Sequence, residues 1–174
     1  MNYFEFYEIP VSFLPDEALI KHTYFRLSKA YHPDFYTLES EDKQAEILEL
    51  STQNNNAYKV LSNFDSRMKY ILELKGVMDE EGKAKVPQDF LMEMMDINEA
   101  LMELQFDFDK SQYDKLISDI ETLETELLEG VQPALESYND EKSNESELLA
   151  LKDYYLKKRY LLRLRENLDK FADA

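Results

Sequence analysis

The tripeptide His32-Pro33-Asp34 holds the residue types most capable of chemistry in this chain. It contains one of the 2 histidines, and the aromatic residues Tyr31 and Phe35 flank it. An imidazole beside a carboxylate is the pairing of a general base with the group that orients it. Such a pair needs companions, and the sequence offers no Ser or Cys nucleophile motif, glycine-rich phosphate loop or second histidine cluster. Zinc needs three or four convergent ligands, more than this triplet supplies. Two readings stay open: a turn that Pro33 stiffens and Asp34 caps, or a surface for another protein to contact.

Charge placement favours the contact surface. Residues 18 to 33 include Lys21, Arg26 and Lys29 and no acid, in a chain with 20 Lys and Arg against 37 Asp and Glu. At roughly 100° per helical residue, Arg26, Lys29 and His22 lie opposite the face formed by Ile20, Tyr24, Leu27 and Tyr31. Alone, a three-charge strip is usually a solvated helix back. Beside the His-Pro-Asp loop it points to an acidic protein partner.

A third constellation begins near residue 90. Phe90, Met94, Ile97, Leu101, Leu104 and Phe108 recur four and three apart, which predicts a core-facing helix stripe. Leu91 and Met95 then fall on an adjoining face, and Met92, Asp96, Glu99 and Glu103 on the far one. Large apolar side chains rimmed by carboxylates mark a binding surface, and methionine adapts well to that use. The competing reading is that neighbouring helices wrap widely enough to bury them.

Two helical regions must position these groups, separated by KGVMDEEGKAKVPQ at residues 75–88, a polar stretch with two glycines and a proline. In the first, a short turn spans residues 3–8, and a helix starts at Pro15-Asp16-Glu17 and must stop at Pro33. A second helix runs from Ser40 to about Leu61, carrying Ile47, Leu48, Tyr58 and Leu61. A short one ends near Leu74. In the second region, Tyr113, Leu116, Ile120, Leu123 and Leu127 mark a helix that Gly130 and Pro133 kink or end. Leu161, Leu164, Leu168 and Phe171 mark another, with residues 140–147 as the turn between. The expected fold is all-α: an antiparallel helical hairpin with short flanking helices over 1–75, a linker over 76–88 and a three-helix bundle over 89–174.

Composition removes whole classes of function. A formal net charge of −17 opposes nucleic acid and anionic membranes alike, since both would need clustered Lys and Arg. With no cysteine, the chain forms no disulfide and no cysteine-ligated metal site. MNYFEFYEIP has no signal-peptide pattern and no apolar run reaches spanning length, so a cytoplasmic protein is expected.

The hairpin joined by His32-Pro33-Asp34, the basic residues before it, and Asn55-Asn56-Ala57-Tyr58-Lys59-Val60-Leu61 after it resemble the J-domain. Arg67 and Tyr70 fit the same pattern. Tyr3-Phe4, Ile9-Pro10, Phe35, Tyr70-Ile71-Leu72-Glu73-Leu74-Lys75-Gly76 and Phe90-Leu91-Met92-Glu93-Met94-Met95 make the chain similar to the HscB family of iron–sulfur-cluster co-chaperones over nearly its whole length. The resemblance implies a non-catalytic adaptor without cofactor or metal. Its J-domain would contact a DnaK-type (HscA-like) chaperone through His32, Pro33 and Asp34, steered by Lys21, Arg26 and Lys29, and stimulate its ATPase. Leu91, Met92, Met95, Asp96, Glu99 and Glu103, joined by Tyr160, would bind an IscU-like scaffold protein. A general J-domain co-chaperone serving other clients is the alternative. The chain departs from the family where Asn63-Phe64-Asp65 replaces an Asp-Pro pair, and Met95 and Asp96 are conservative replacements. The 174 residues include no cysteine-rich metal-binding segment of the kind some relatives carry, so no zinc is expected.

Overall fold

The computed structural model describes residues 1–78, 85–142 and 145–172, and these are all-α, with no strand among them. Residues 79–84, most of the expected linker, and 143–144 in the expected turn lie outside the described residues. Two compact units emerge. The first joins Met1–Leu74 with Tyr138–Ser143, and the second joins Lys75–Ser137 with Asn144–Ala174.

In the first unit, α1 (Tyr3–Phe6) opens with a capping box. Asn2 Oδ1 accepts from the Glu5 N–H at 2.9 Å, and Glu5 returns the bond to the Asn2 N–H. Helix α2 (Glu17–Ala30) starts at Asp16, whose Oδ1 accepts the Leu19 N–H at 3.1 Å. A 3-10 turn (Pro33–Tyr36) follows, and Ser40 caps α3 (Glu41–Leu61). Helix α4 (Phe64–Leu74) closes the unit, and the chain leaves it through Gly76 at φ +70°, a left-handed conformation suited to glycine. The core stripe of α2 is Ile20, Thr23 and Leu27, while on α3 it is Ile47, Asn54, Ala57 and Leu61. Leu48, expected alongside Ile47, is exposed: one residue on from Ile47, it is rotated off the buried face.

Two buried polar residues lock this helical frame. Asn54 is 1% exposed; its Nδ2 donates to Tyr24 O (3.1 Å) and Ser28 Oγ (3.0 Å), and its Oδ1 accepts from the Tyr7 hydroxyl (2.8 Å). One side chain thereby ties α3 to α2 and to the end of α1. Arg67 is equally buried; its Nε donates to Phe13 O at 3.0 Å and its guanidinium also to Leu61 O. Burial lowers its pKa from the usual guanidinium range, and the bonds to carbonyls satisfy the donors that desolvation strands. Tyr138 belongs to this unit, its ring edge-on to Phe13 at 4.8 Å.

The second unit packs α6 (Met95–Phe106), α7 (Lys110–Ser137) and α8 (Glu145–Ala172) against one another, with α5 (Gln88–Glu93) leading into α6. Its core holds Phe90, Met94, Leu101, Leu104, Leu116, Ile120, Leu161, Leu164 and Leu168. Each such side chain contributes about 1.5–3 kcal/mol on leaving water. Three sequence expectations need correction. The stripe from Phe90 to Phe108 is not one helix: the backbone breaks at Met94 (ψ −3°), whose carbonyl accepts both the N–H and the side-chain amide of Asn98. Phe108 lies beyond the end of α6 and is exposed. Helix α7 does not end at Gly130 or Pro133 but runs on to Ser137, because Pro133 faces solvent, where water replaces the donor its ring removes.

Candidate partner-binding surfaces

The first candidate site is the turn between α2 and α3. Helix α2 cannot pass Pro33, so it ends at Ala30, with the Tyr31 N–H closing on Leu27 O at 2.8 Å. His32 then caps the 3-10 turn: its Nδ1 accepts the Asp34 N–H at 3.3 Å, and its carbonyl accepts the Phe35 N–H at 3.0 Å. The turn is pinned from both sides. Tyr36 donates its hydroxyl to Ala30 O at 2.7 Å, and Gln44 on α3 donates to Glu39 O (2.9 Å) and Thr37 O (3.3 Å).

This geometry argues against a catalytic dyad. His32 Nδ1 also lies 3.9 Å from Asp34 Oδ2, close enough for an ion pair only if the ring is protonated. A nitrogen that accepts a backbone N–H carries no proton, so the 3.3 Å bond and the ion pair exclude each other. The backbone bond is the shorter of the two contacts. Asp34 therefore does not orient the imidazole, and its side chain stays 84% exposed. The cavity beside the turn is lined by Pro33, Tyr36, Ile47 and Leu48, not by His32 or Asp34. Among the described residues, no group of three His, Asp or Glu side chains is placed to hold a metal ion.

What the turn does have is a largely exposed carboxylate on a fixed backbone, preceded by a helix that carries cations. Lys21, Arg26 and Lys29 are exposed on α2, with no ion pair to any described carboxylate. Phe25, which the spacing argument overlooked, is exposed between them, and the exposed Phe35 ring lies 5.4 Å from that of His32. The signal for Phe25 was available, since it breaks the Ile20/Tyr24/Leu27/Tyr31 spacing.

The second candidate site lies on α5 and α6. Leu91, Met92 and Met95 are 41%, 65% and 63% exposed, so neighbouring helices do not wrap over them. Asp96, Glu99 and Glu103 are exposed beside them, and none has an ion pair among the described residues. The acidic side borders a shallow groove between α6 and α7, lined in part by Ile97, Ala100 and Lys115. Tyr160 sits differently from the rest. It is half-buried, with its ring edge-on to Phe90 at 5.6 Å and its hydroxyl accepting from Asn98 Nδ2 at 2.8 Å. It braces α6 through Asn98 and presents little surface.

Comparison with known proteins finds one family model on either side of residues 71–85, the second of which also takes in Tyr138–Ser143. A family model described as the DnaJ domain matches residues 2–70, and one described as the HSCB C-terminal oligomerisation domain matches residues 86–169. A protein named "Co-chaperone protein HscB homolog" from Pseudoalteromonas atlantica is 31% identical over 180 residues, covering 100% of this chain and 98% of its own. One of the same name from Psychromonas ingrahamii is 35% identical over 103 residues, 58% of this chain and 60% of that protein. Among solved structures, the chaperone HscB from Vibrio cholerae aligns with a TM-score of 0.71 at 25% identity, covering 99% of this chain and 98% of that one. The human co-chaperone protein HscB aligns at 0.74 and 28% identity, covering 97% and 81%.

Proposed function

Because the chain belongs to the HscB family of J-domain co-chaperones, we propose that it is an adaptor between two proteins of iron–sulfur-cluster assembly. On this reading, the second unit binds an IscU-type scaffold through Leu91, Met92 and Met95, flanked by Asp96, Glu99 and Glu103 and braced by Tyr160. The first unit engages an HscA-like DnaK-type chaperone through His32, Pro33 and Asp34 and stimulates its ATP hydrolysis. The nucleotide chemistry belongs to the chaperone.

The mechanism follows from rigidity and charge. Pro33 fixes φ near −65°, and the Tyr36–Ala30 and Gln44 bonds hold the turn against both helices. The Asp34 carboxylate therefore docks without paying much ordering entropy. A cation on the chaperone would meet it, while Lys21, Arg26 and Lys29 steer an acidic chaperone surface onto α2. A contact that is stronger in the hydrolysing conformation of the chaperone than in its resting one shifts the population toward hydrolysis. The observation that best supports this reading is the largely exposed Asp34 carboxylate on a pinned turn, together with an acid-rimmed apolar patch on the other unit.

Replacing Leu91, Met92 and Met95 together by Ala tests the scaffold half. Scaffold affinity should fall by roughly 10-fold or more, as expected when anchor residues are truncated, with chaperone stimulation intact. Unchanged scaffold binding by a folded triple variant would refute it.

A further inference from the structure

The exposed face of α6 continues past the residues named above. At roughly 100° per residue, Met102 and Phe106 fall within about 20° of Met95 on the helix wheel. The core residues Leu101 and Leu104 lie on the opposite side. Met102 is 58% exposed and Phe106 90%, and neither is a member of the core cluster. Met95, Met102 and Phe106 therefore form one apolar stripe on α6, roughly 16 Å long at 1.5 Å per residue, with the exposed Leu91 on the preceding α5. Glu99 sits within it, and Asp96 and Glu103 run along one flank.

We infer that Met102 and Phe106 are binding residues for the same partner, so that the contact runs the whole length of α6 with Phe106 as its far anchor. This inference rests on the reading of α5–α6 as the scaffold-binding face. The occupant is a protein surface with an apolar centre and a border of Lys or Arg. Charge selects it. The acids beside the stripe make no ion pair among the described residues. In the groove they border, a single lysine, Lys115, faces Asp96, Glu103 and Asp119, so the surface keeps an excess of negative charge for a basic partner. A second copy of this chain would bring two acidic rows together across the interface, on molecules of net charge −17 each. An apolar stripe of this length on one helix exceeds the scattered exposed residues usual on a monomer surface.

The test is calorimetric titration of a purified IscU-type scaffold into three full-length proteins: wild type, Met92→Ser/Met95→Ser, and Met102→Ser/Phe106→Ser. Circular dichroism checks folding, and Phe106→Ser alone serves if the far double variant is unstable. The expected result is a loss of affinity of about 10-fold or more in the far variant, the range for truncated interface anchors, with an unchanged melting curve. Wild-type affinity in the far variant, with the near variant weakened, overturns this inference and leaves the scaffold reading standing. Absence of scaffold binding by the wild type overturns both. Sedimentation covers the remaining occupant: a wild-type dimer that the far variant dissociates would make the stripe a self-association face and overturn the inference.

Discussion

Replacing Asn54 by Ala removes the side chain that ties α1, α2 and α3 together. The loss comprises three hydrogen bonds, one buried and two partly buried: from the Tyr7 hydroxyl to Oδ1, and from Nδ2 to Tyr24 O and Ser28 Oγ. At a net value near 1 kcal/mol each, they sum to about 3 kcal/mol. Partial relief comes from the Tyr7 hydroxyl, which keeps the Asn54 backbone carbonyl at 3.2 Å. For a unit of this size, a loss of about 3 kcal/mol lowers the melting temperature by roughly 12–24 °C. The assay is thermal unfolding combined with amide hydrogen exchange, which resolves α1–α4 from α6–α8 in a chain whose units need not unfold together. Protection should fall in α1–α4 and stay unchanged in α6–α8. The control is Asn56→Ala at an exposed neighbouring position, expected to cost less than about 0.5 kcal/mol. A cost for Asn54→Ala below about 1 kcal/mol would refute the assignment of Asn54 as the hub of the hairpin.

Two further outcomes follow from the same frame. Reversing Lys21, Arg26 and Lys29 to Glu should slow association with the chaperone and flatten its salt dependence, read by stopped-flow, with no change in melting because all three are exposed and without described ion pairs. Burial raises the phenol pKa of both Tyr7 and Tyr70 above the ordinary 10.0, so the folded chain keeps protons that the unfolded chain gives up. Stability should be level below that pH and fall as pH rises through it, and urea midpoints for Tyr7→Phe should show a shallower alkaline decline.

Much of this molecule is legible in the order of its residues, and what is not has identifiable causes. The hairpin can be read because Pro33 stops α2 and Ser40 starts α3, both local effects. The exposure of Leu91, Met92 and Met95 follows from spacing, since Phe90, Met94, Leu101 and Leu104 already claim the core face. Asn54 was hidden because Asn54-Asn55-Asn56 reads as a solvated run; only the approach of Tyr7 and Ser28 from distant positions makes the first of the three buried. Arg67 matched the family pattern, yet nothing local announces that a cation will end among carbonyls. The break at Met94 lacks the usual glycine or proline, and Asn98 with Tyr160 marks it only in three dimensions. Helix α8 reaches back to Glu145 through Leu148, Leu151, Tyr154 and Tyr155, whose close spacing blurs any single stripe. Tyr160 is half-buried, and its contacts with Phe90 and Asn98 are visible only in three dimensions.

The claim at the centre is that Asp34 transmits a signal and performs no chemistry. The direct measurement is steady-state ATPase activity of the HscA-like chaperone with the IscU-type scaffold, comparing wild type with Asp34→Asn. The side chain is 84% exposed, so the variant should fold and bind scaffold as wild type does. Removing one partner of a docking charge pair should cost roughly 30-fold or more in the chaperone concentration needed for stimulation. With scaffold present, the wild type should stimulate hydrolysis beyond either protein alone, and Asp34→Asn should leave the chaperone near its scaffold-only rate. Full stimulation by a folded Asp34→Asn protein would contradict the account.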